Sequence, residues 1–206
     1  ADTIPKIVGP NLKHFSHFYI GYGLVLGADA VGSEIKYGPS SDLVYGYRYK
    51  RKLSEFYAVG FDLFYHSTAF HLKQDSANKI LPNNILHDDK GEKDKLTFHN
   101  LSLGLYNRFN FGKRGNYIGN FLDLGARVDW PFSVVHFTKD KLNTANDNNG
   151  KVVKTKTTGL VYIEPIYYNA FARLGFSKFV ITVSYRLSDL FKKDLKLYED
   201  ENKYPE

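Results

Sequence analysis

The chain has 206 residues, with 28 Lys+Arg against 22 Asp+Glu, 16 Tyr, 16 Phe, one Trp and neither Cys nor Met. The lack of cysteine excludes disulfides, Cys-ligated zinc, iron–sulfur clusters and thiol catalysis together, and no uncharged stretch approaches the ~20 apolar residues of a membrane-spanning helix. So many aromatic residues, with 17 Gly and only 7 Pro, favour β-structure over a helical bundle.

The opening Ala1-Asp2-Thr3, without Met, reads as the start left by a cleaved secretory signal. The first alternating segment follows at 14–27. Its even positions Phe18, Ile20, Tyr22, Leu24 and Leu26 are large and apolar, and its odd positions His17, Tyr19, Gly21, Gly23 and Gly27 are polar or small, the period-two signature of a strand whose two faces meet different surroundings. A second strand is predicted over 42–50, with Leu43, Tyr45, Tyr47 and Tyr49 against Gly46, Arg48 and Lys50. The third, 55–68, sets Tyr57, Val59, Phe61, Leu63 and Tyr65 against Ala58, Gly60, Asp62, Phe64 and His66. The fourth, 95–109, sets Leu101, Leu103, Leu105 and Phe109 against Asn100, Ser102, Gly104, Tyr106 and Arg108.

In the fifth, 117–130, Leu122, Leu124, Ala126 and Val128 oppose Asp123, Gly125, Arg127 and Asp129. The sixth, 158–174, carries Pro165, which removes a ladder donor, and a bulge is expected there. The seventh, 178–188, alternates Phe179, Ile181, Val183, Tyr185 and Leu187 with Thr182, Ser184 and Arg186.

Alternation is common to soluble and membrane β-proteins; what separates them is which face looks inward. Glycines gather on the polar face, as a narrow lumen requires when small residues sit beside large ones. Tyr57 and Tyr65 bracket the aliphatic part of their strand about 27 Å apart, or roughly 20 Å along the membrane normal at ~40° tilt. Tyr49, Phe109, Trp130, Phe179 and Tyr185 occupy similar strand-end positions, as rings at a headgroup boundary do. Short connections (near 51–54, 112–115 and 175–177) alternate with long polar ones (71–94 and 139–151), the asymmetry of outer-membrane barrels.

With these segments, and with Tyr185-Arg186-Leu187-Ser188-Asp189-Leu190-Phe191 after the last hairpin, the chain resembles small eight-stranded outer-membrane β-barrels of the OmpX/PorT-like type of Bacteroidota. The resemblance implies an all-β, up-and-down antiparallel transmembrane barrel in the bacterial outer membrane, a single domain over 1–206. Eight strands are expected and seven are evident. The eighth is expected from beyond Glu206 or from another segment, since seven would leave two edges unpaired in lipid.

Arg48, Asp62, Arg108, Asp123, Arg127, Asp129 and Arg186 fall on the inward face. An ion gate is one reading. A paired interior network filling a barrel too narrow to conduct is the preferred one. His66, His71, His87, Asp88 and Asp89 lack metal-ligand spacing, and Asp147-Asn148-Asn149-Gly150 reads as a hairpin tip rather than a calcium loop, so no metal or other cofactor is expected.

His14, Ser16 and His17, or His99 with Ser102, could serve a lipid-modifying enzyme, but no G-x-S-x-G occurs and no catalytic residue is assigned. The excess of six positive charges is read as dispersed rather than as a basic stripe, and nucleic acid is not expected as a partner. The expected role is a non-enzymatic, structural or partner-binding one. It involves outer-membrane lipid and other outer-membrane or periplasmic proteins, as an accessory subunit of secretion, insertion or uptake machinery. The alternatives are a lipid-modifying enzyme barrel and a soluble lipocalin-like ligand-binding barrel.

Overall fold

A computed structural model describes residues 11–27, 35–72, 93–111, 119–142, 151–160, 162–176 and 179–192. Eight strands form, β1 (His14–Leu24), β2 (Ser41–Lys52), β3 (Tyr57–Leu72), β4 (Lys93–Phe111), β5 (Asn120–Leu142), β6 (Lys151–Thr158), β7 (Tyr167–Phe176) and β8 (Phe179–Arg186). All belong to one antiparallel up-and-down sheet in the order β1-β2-β3-β4-β5-β7-β8, and β6 pairs only with the far end of β5. The sheet is strongly curled into a half-barrel and is not closed. Among the described residues there is no helix long and apolar enough to cross a membrane.

The seven predicted segments correspond to the seven strands of the continuous path, so the eighth strand of the structure is not the closing strand the sequence called for. It is β6, which fills the stretch left unassigned between the predicted connection 139–151 and the predicted sixth segment 158–174. Its Lys-Val-Val-Lys-Thr-Lys-Thr-Thr run has no apolar face to betray it, although its β-branched residues favour a strand. The bulge expected at Pro165 is not there. Pro165 lies between β6 and β7, beyond the turn that Gly159 makes at φ 74°.

The register shift falls instead in β5, where His99 pairs with Ser133 and Asn100 with Pro131, leaving Phe132 as the extra residue. Proline lacks the N–H that a regular ladder would use, so a bulge is accommodated there. Below it the odd residues Phe121, Asp123 and Asp129 are buried; above it the even residues Val134, His136 and Thr138 are. The long connections predicted at 71–94 and 139–151 are shorter than expected, because β3 runs to Leu72, β4 starts at Lys93, β5 runs to Leu142 and β6 starts at Lys151. What remains of them, 73–92 and 143–150, with His87, Asp88, Asp89 and Asp147-Asn148-Asn149-Gly150, lies outside the described residues, as does the short connection at 112–115. So do Ser177, Tyr204, Pro205 and Glu206. Leu142 and Lys151, which flank 143–150, are paired with each other.

The face on which residues are buried changes along the sheet. Over the half nearer the short connections the concave face is polar and charged and the convex face apolar. Arg48, Asp62, Arg108, Asp123 and Arg173 are buried, whereas Ile20 is 76% exposed, Leu105 66% and Val183 68%. Toward the long connections the concave face becomes apolar. Phe70, Leu96, Phe98 and Val134 form a buried cluster with Ile35 and Ile163, which are laid across it. The convex side there carries Lys93, Lys95, Thr97 and Lys139.

Candidate functional site

The polar concave face is built from cross-strand pairs. Arg48 of β2 stands opposite Asp62 of β3, Arg108 of β4 opposite Asp123 of β5, and Asp123 opposite Arg173 of β7. Arg48 Nε donates to Asp62 Oδ1 at 2.7 Å, and Arg108 clamps Asp123 with Nε on Oδ1 at 2.6 Å and Nη2 on Oδ2 at 2.8 Å. Arg173 joins the two pairs, with Nη2 on Asp62 Oδ2 and Nη1 3.5 Å from Asp123 Oδ2. Five side chains from five strands thus form one belt in which three guanidiniums share two carboxylates. Both aspartates are fully buried, which only paired and hydrogen-bonded charges tolerate.

Aromatic faces complete the cation environment. Arg108 lies 3.6 Å from the Phe121 ring centroid, Arg173 4.1 Å from Phe171 and Arg48 4.5 Å from Tyr19. The rings fit because glycines face them. A Cβ on Gly60 would collide with the Tyr106 ring and the Tyr49 carbonyl, and one on Gly125 with the Phe171 ring. This is the small-beside-large packing expected of a narrow interior.

A second cluster lies nearer the long connections. Arg127 Nε is 3.2 Å from Asp129 Oδ2, to which Asn169 Nδ2 donates at 2.7 Å. His66 reaches from Asp129, at 3.6 Å, to Asp42, at 3.0 Å. Arg186, the last of the predicted interior charges, stands beside the second cluster, opposite Asn169 and 5.0 Å from the Tyr167 ring centroid. The pattern alone had not singled out Arg173, although it lies on the polar face of the sixth predicted segment; its partners became evident only from the β5–β7 register.

On the convex side the seven predicted boundary aromatics divide between two levels. Tyr49, Tyr57, Phe109 and Phe179 lie toward the short connections, with Tyr57 and Phe109 ring centroids 5.6 Å apart and Tyr49 5.3 Å from Phe61. Tyr65, Trp130 and Tyr185 lie toward the long ones. There Phe132, the bulge residue, links Tyr65 at 6.3 Å and Trp130 at 6.2 Å, and His99 Nδ1 meets the Tyr65 hydroxyl at 2.7 Å.

The serine–histidine arrangements do not assemble. His99 is on the convex face and Ser102 on the concave one. His14 and Ser16 share the convex face, His14 Nδ1 meeting the Tyr49 hydroxyl at 2.7 Å, whereas His17 turns inward. Among the described residues no cluster of metal-ligating side chains forms.

Between the free edges β1 and β8 lies a trough of about 880 Å³ floored by Arg48, Arg108, Arg127 and Arg173. Because seven strands alternate in direction, β1 and β8 run the same way. No protein-family model matches this chain, and neither does any curated protein or solved structure.

Proposed function

We propose that the chain is an integral β-barrel of the bacterial outer membrane, non-enzymatic, with a structural or partner-binding role as an accessory subunit of a larger outer-membrane assembly. The observation that carries this reading is the reversal along the sheet. One continuous set of strands has an apolar convex face over a charged concave one, and then, beyond the level of Trp130 and His99, an apolar concave core beneath a lysine-bearing convex face. The second arrangement is that of a protein in water, and the first that of a protein in lipid. A sheet passing from lipid into water requires this switch, and the Tyr65–Phe132–Trp130 cluster lies at the level where it occurs.

The same reading asks for closure, because hydrocarbon does not tolerate an open row of unpaired N–H and C=O groups. Direct pairing of β1 with β8 would be parallel. One further strand running in the direction of β2 pairs antiparallel with both, which fits the eight-stranded resemblance. Such a strand would carry apolar residues outward and polar ones inward, where a carboxylate near Arg48 would balance the third arginine of a belt that has two aspartates.

A belt of paired charges and rings lines the concave face and floors the trough, which supports a structural wall rather than a channel. Contact with other outer-membrane or periplasmic proteins is the role that remains. Fractionation followed by pull-down in mild detergent tests this: the expected result is recovery with outer membranes and co-purification in a large complex. Recovery of the full chain in a detergent-free aqueous fraction would refute it.

A further inference from the structure

The positive charges that look scattered in the sequence are gathered by the strand register. The antiparallel bridge Ile35↔Leu72 sets Lys36 opposite His71, His71 pairs with Lys95, Lys95 with Phe137, and Phe137 with Lys156. One pleat further out, Lys93 pairs with Lys139 and Lys139 with Lys154. Two rows of basic residues therefore cross neighbouring strands on the convex face. Neighbouring strands lie about 4.8 Å apart and successive rows about 7 Å, so the ammonium groups share one small area.

The bulge at Phe132 is what makes this possible, because it moves the odd residues of β5 from the concave to the convex face. Among the described residues, none of Lys93, Lys95, Lys154 and Lys156 is bonded to a carboxylate, and the nearby Asp94 is turned inward onto His136, 2.6 Å away. In keeping with a cationic surface, burial first and then Lys95, Lys93 and Lys36 hold the His71 imidazole below its ordinary pKa.

The position of the rows selects the anion. Lys95 and Lys93 lie four and six residues beyond His99, whose ring belongs to the Tyr65–Phe132 cluster. That is about 14 and 20 Å along the strand, or roughly 10 and 16 Å along the normal at ~40° tilt. Such a height lies just outside the hydrocarbon, in the headgroup layer of the leaflet that faces the long connections, and the lysines point outward toward lipid rather than into the barrel.

We infer that this lysine ladder is a binding site for the phosphorylated headgroup of an outer-leaflet glycolipid of the lipid A class, which seats its phosphates on Lys93, Lys95, Lys154 and Lys156 beside the Phe137 ring. The inference rests on the membrane reading proposed above and deepens it by naming the lipid.

The test uses the full chain in nonionic detergent micelles doped with fluorescent lipid A or with its dephosphorylated form. The native chain is expected to bind the phosphorylated form at least tenfold more tightly. K93Q/K95Q/K154Q/K156Q is expected to abolish that preference, at roughly fivefold per lysine, whereas K13Q/R51Q near the short connections preserves it. Should the quadruple variant fail to fold, K154Q/K156Q on the edge strand β6 serves in its place, with about half the effect on a logarithmic scale.

Equal binding of the two lipids by the native chain, or an unchanged preference in the lysine variants, overturns the inference. Displacement of lipid A by an equimolar amount of inorganic pyrophosphate would make the ladder a site for free phosphate, and also overturns it. A chain that inserts into membranes but ignores phosphorylation refutes the ladder alone; a chain that stays in the aqueous fraction refutes the membrane reading and the ladder together.

Discussion

Leu105→Arg separates lipid from water on the convex face. Leu105 is 66% exposed, stands opposite Phe61 and Ala126, and lies midway between the Tyr57–Phe109 pair and the Tyr65–Leu101–Trp130 row. Four residues separate it from each level, about 14 Å of strand or roughly 10 Å of depth at ~40° tilt, which puts it near the midplane. An arginine at the midplane of a barrel's lipid face costs about 2–4 kcal/mol, and one near the interface about 0–1 kcal/mol. Leu101→Arg, on the Trp130 row, is the matched interfacial control.

The midplane substitution should therefore shift the folding equilibrium by roughly 30- to 900-fold, and the control by less than about fivefold. Urea titration of the full chain in phospholipid vesicles, read by the fluorescence of the single tryptophan Trp130, measures both. On a face in contact with water, replacement of an exposed leucine by arginine stays within about 0.5 kcal/mol. Two variants both within that range, with no dependence on depth, would refute the assignment of this face to lipid.

Asp123→Asn removes the carboxylate that Arg108 and Arg173 share, and the same titration should show a loss of about 3–5 kcal/mol; Asp123→Leu combined with Arg108→Met should lose less than Asp123→Leu alone, because fewer unpaired charges remain buried. Gly60→Ala drives a methyl group against the Tyr106 ring and the Tyr49 carbonyl and should cost about 1–3 kcal/mol, whereas Gly23→Ala, whose nearest neighbours are Asp42 atoms at 4.0 Å, should cost under about 0.5 kcal/mol. The Tyr162 hydroxyl, packed against the apolar cluster of Ile35, Phe70 and Leu96, has its pKa pushed up to about 12 by burial first and then by Asp94. A pKa raised on folding gives stability that is complete below pH ~10 and is lost as pH rises through about 12, so Tyr162→Phe should flatten the alkaline limb of a stability–pH curve in that window.

The seven strands of the main path were legible because each carries a face of period two long enough to count, and their polar faces already placed Arg48, Asp62, Arg108, Asp123, Arg127 and Asp129 on one side. Two things escaped for physical reasons. Strand β6 carries Lys and Thr on both faces, so it offers no alternation to count. The parity of β5 changes at Phe132, a shift that appears only when Asn100 is paired with Pro131, so the convex position of Lys139 and the burial of Val134 could not be counted forward from Trp130. The lysine ladder escaped for the same reason: its members come from separate strands and adjoin only through register.

The extra residue at Phe132 also separates two design problems along one strand. On one side of it β5 must satisfy arginines, and on the other it must fill an apolar cap. A strand of unbroken parity would couple those demands, because any shift that suited one end would turn the other inside out. Held in regular alternation, with Phe132 kept in the ladder instead of bulged, the strand would send Lys139 inward and Val134 outward while leaving Asp123 in place, so the chain would keep its charge belt and lose its cap. With the bulge, the end of the sheet that carries the apolar cap can vary in sequence without disturbing the end that carries the charge belt.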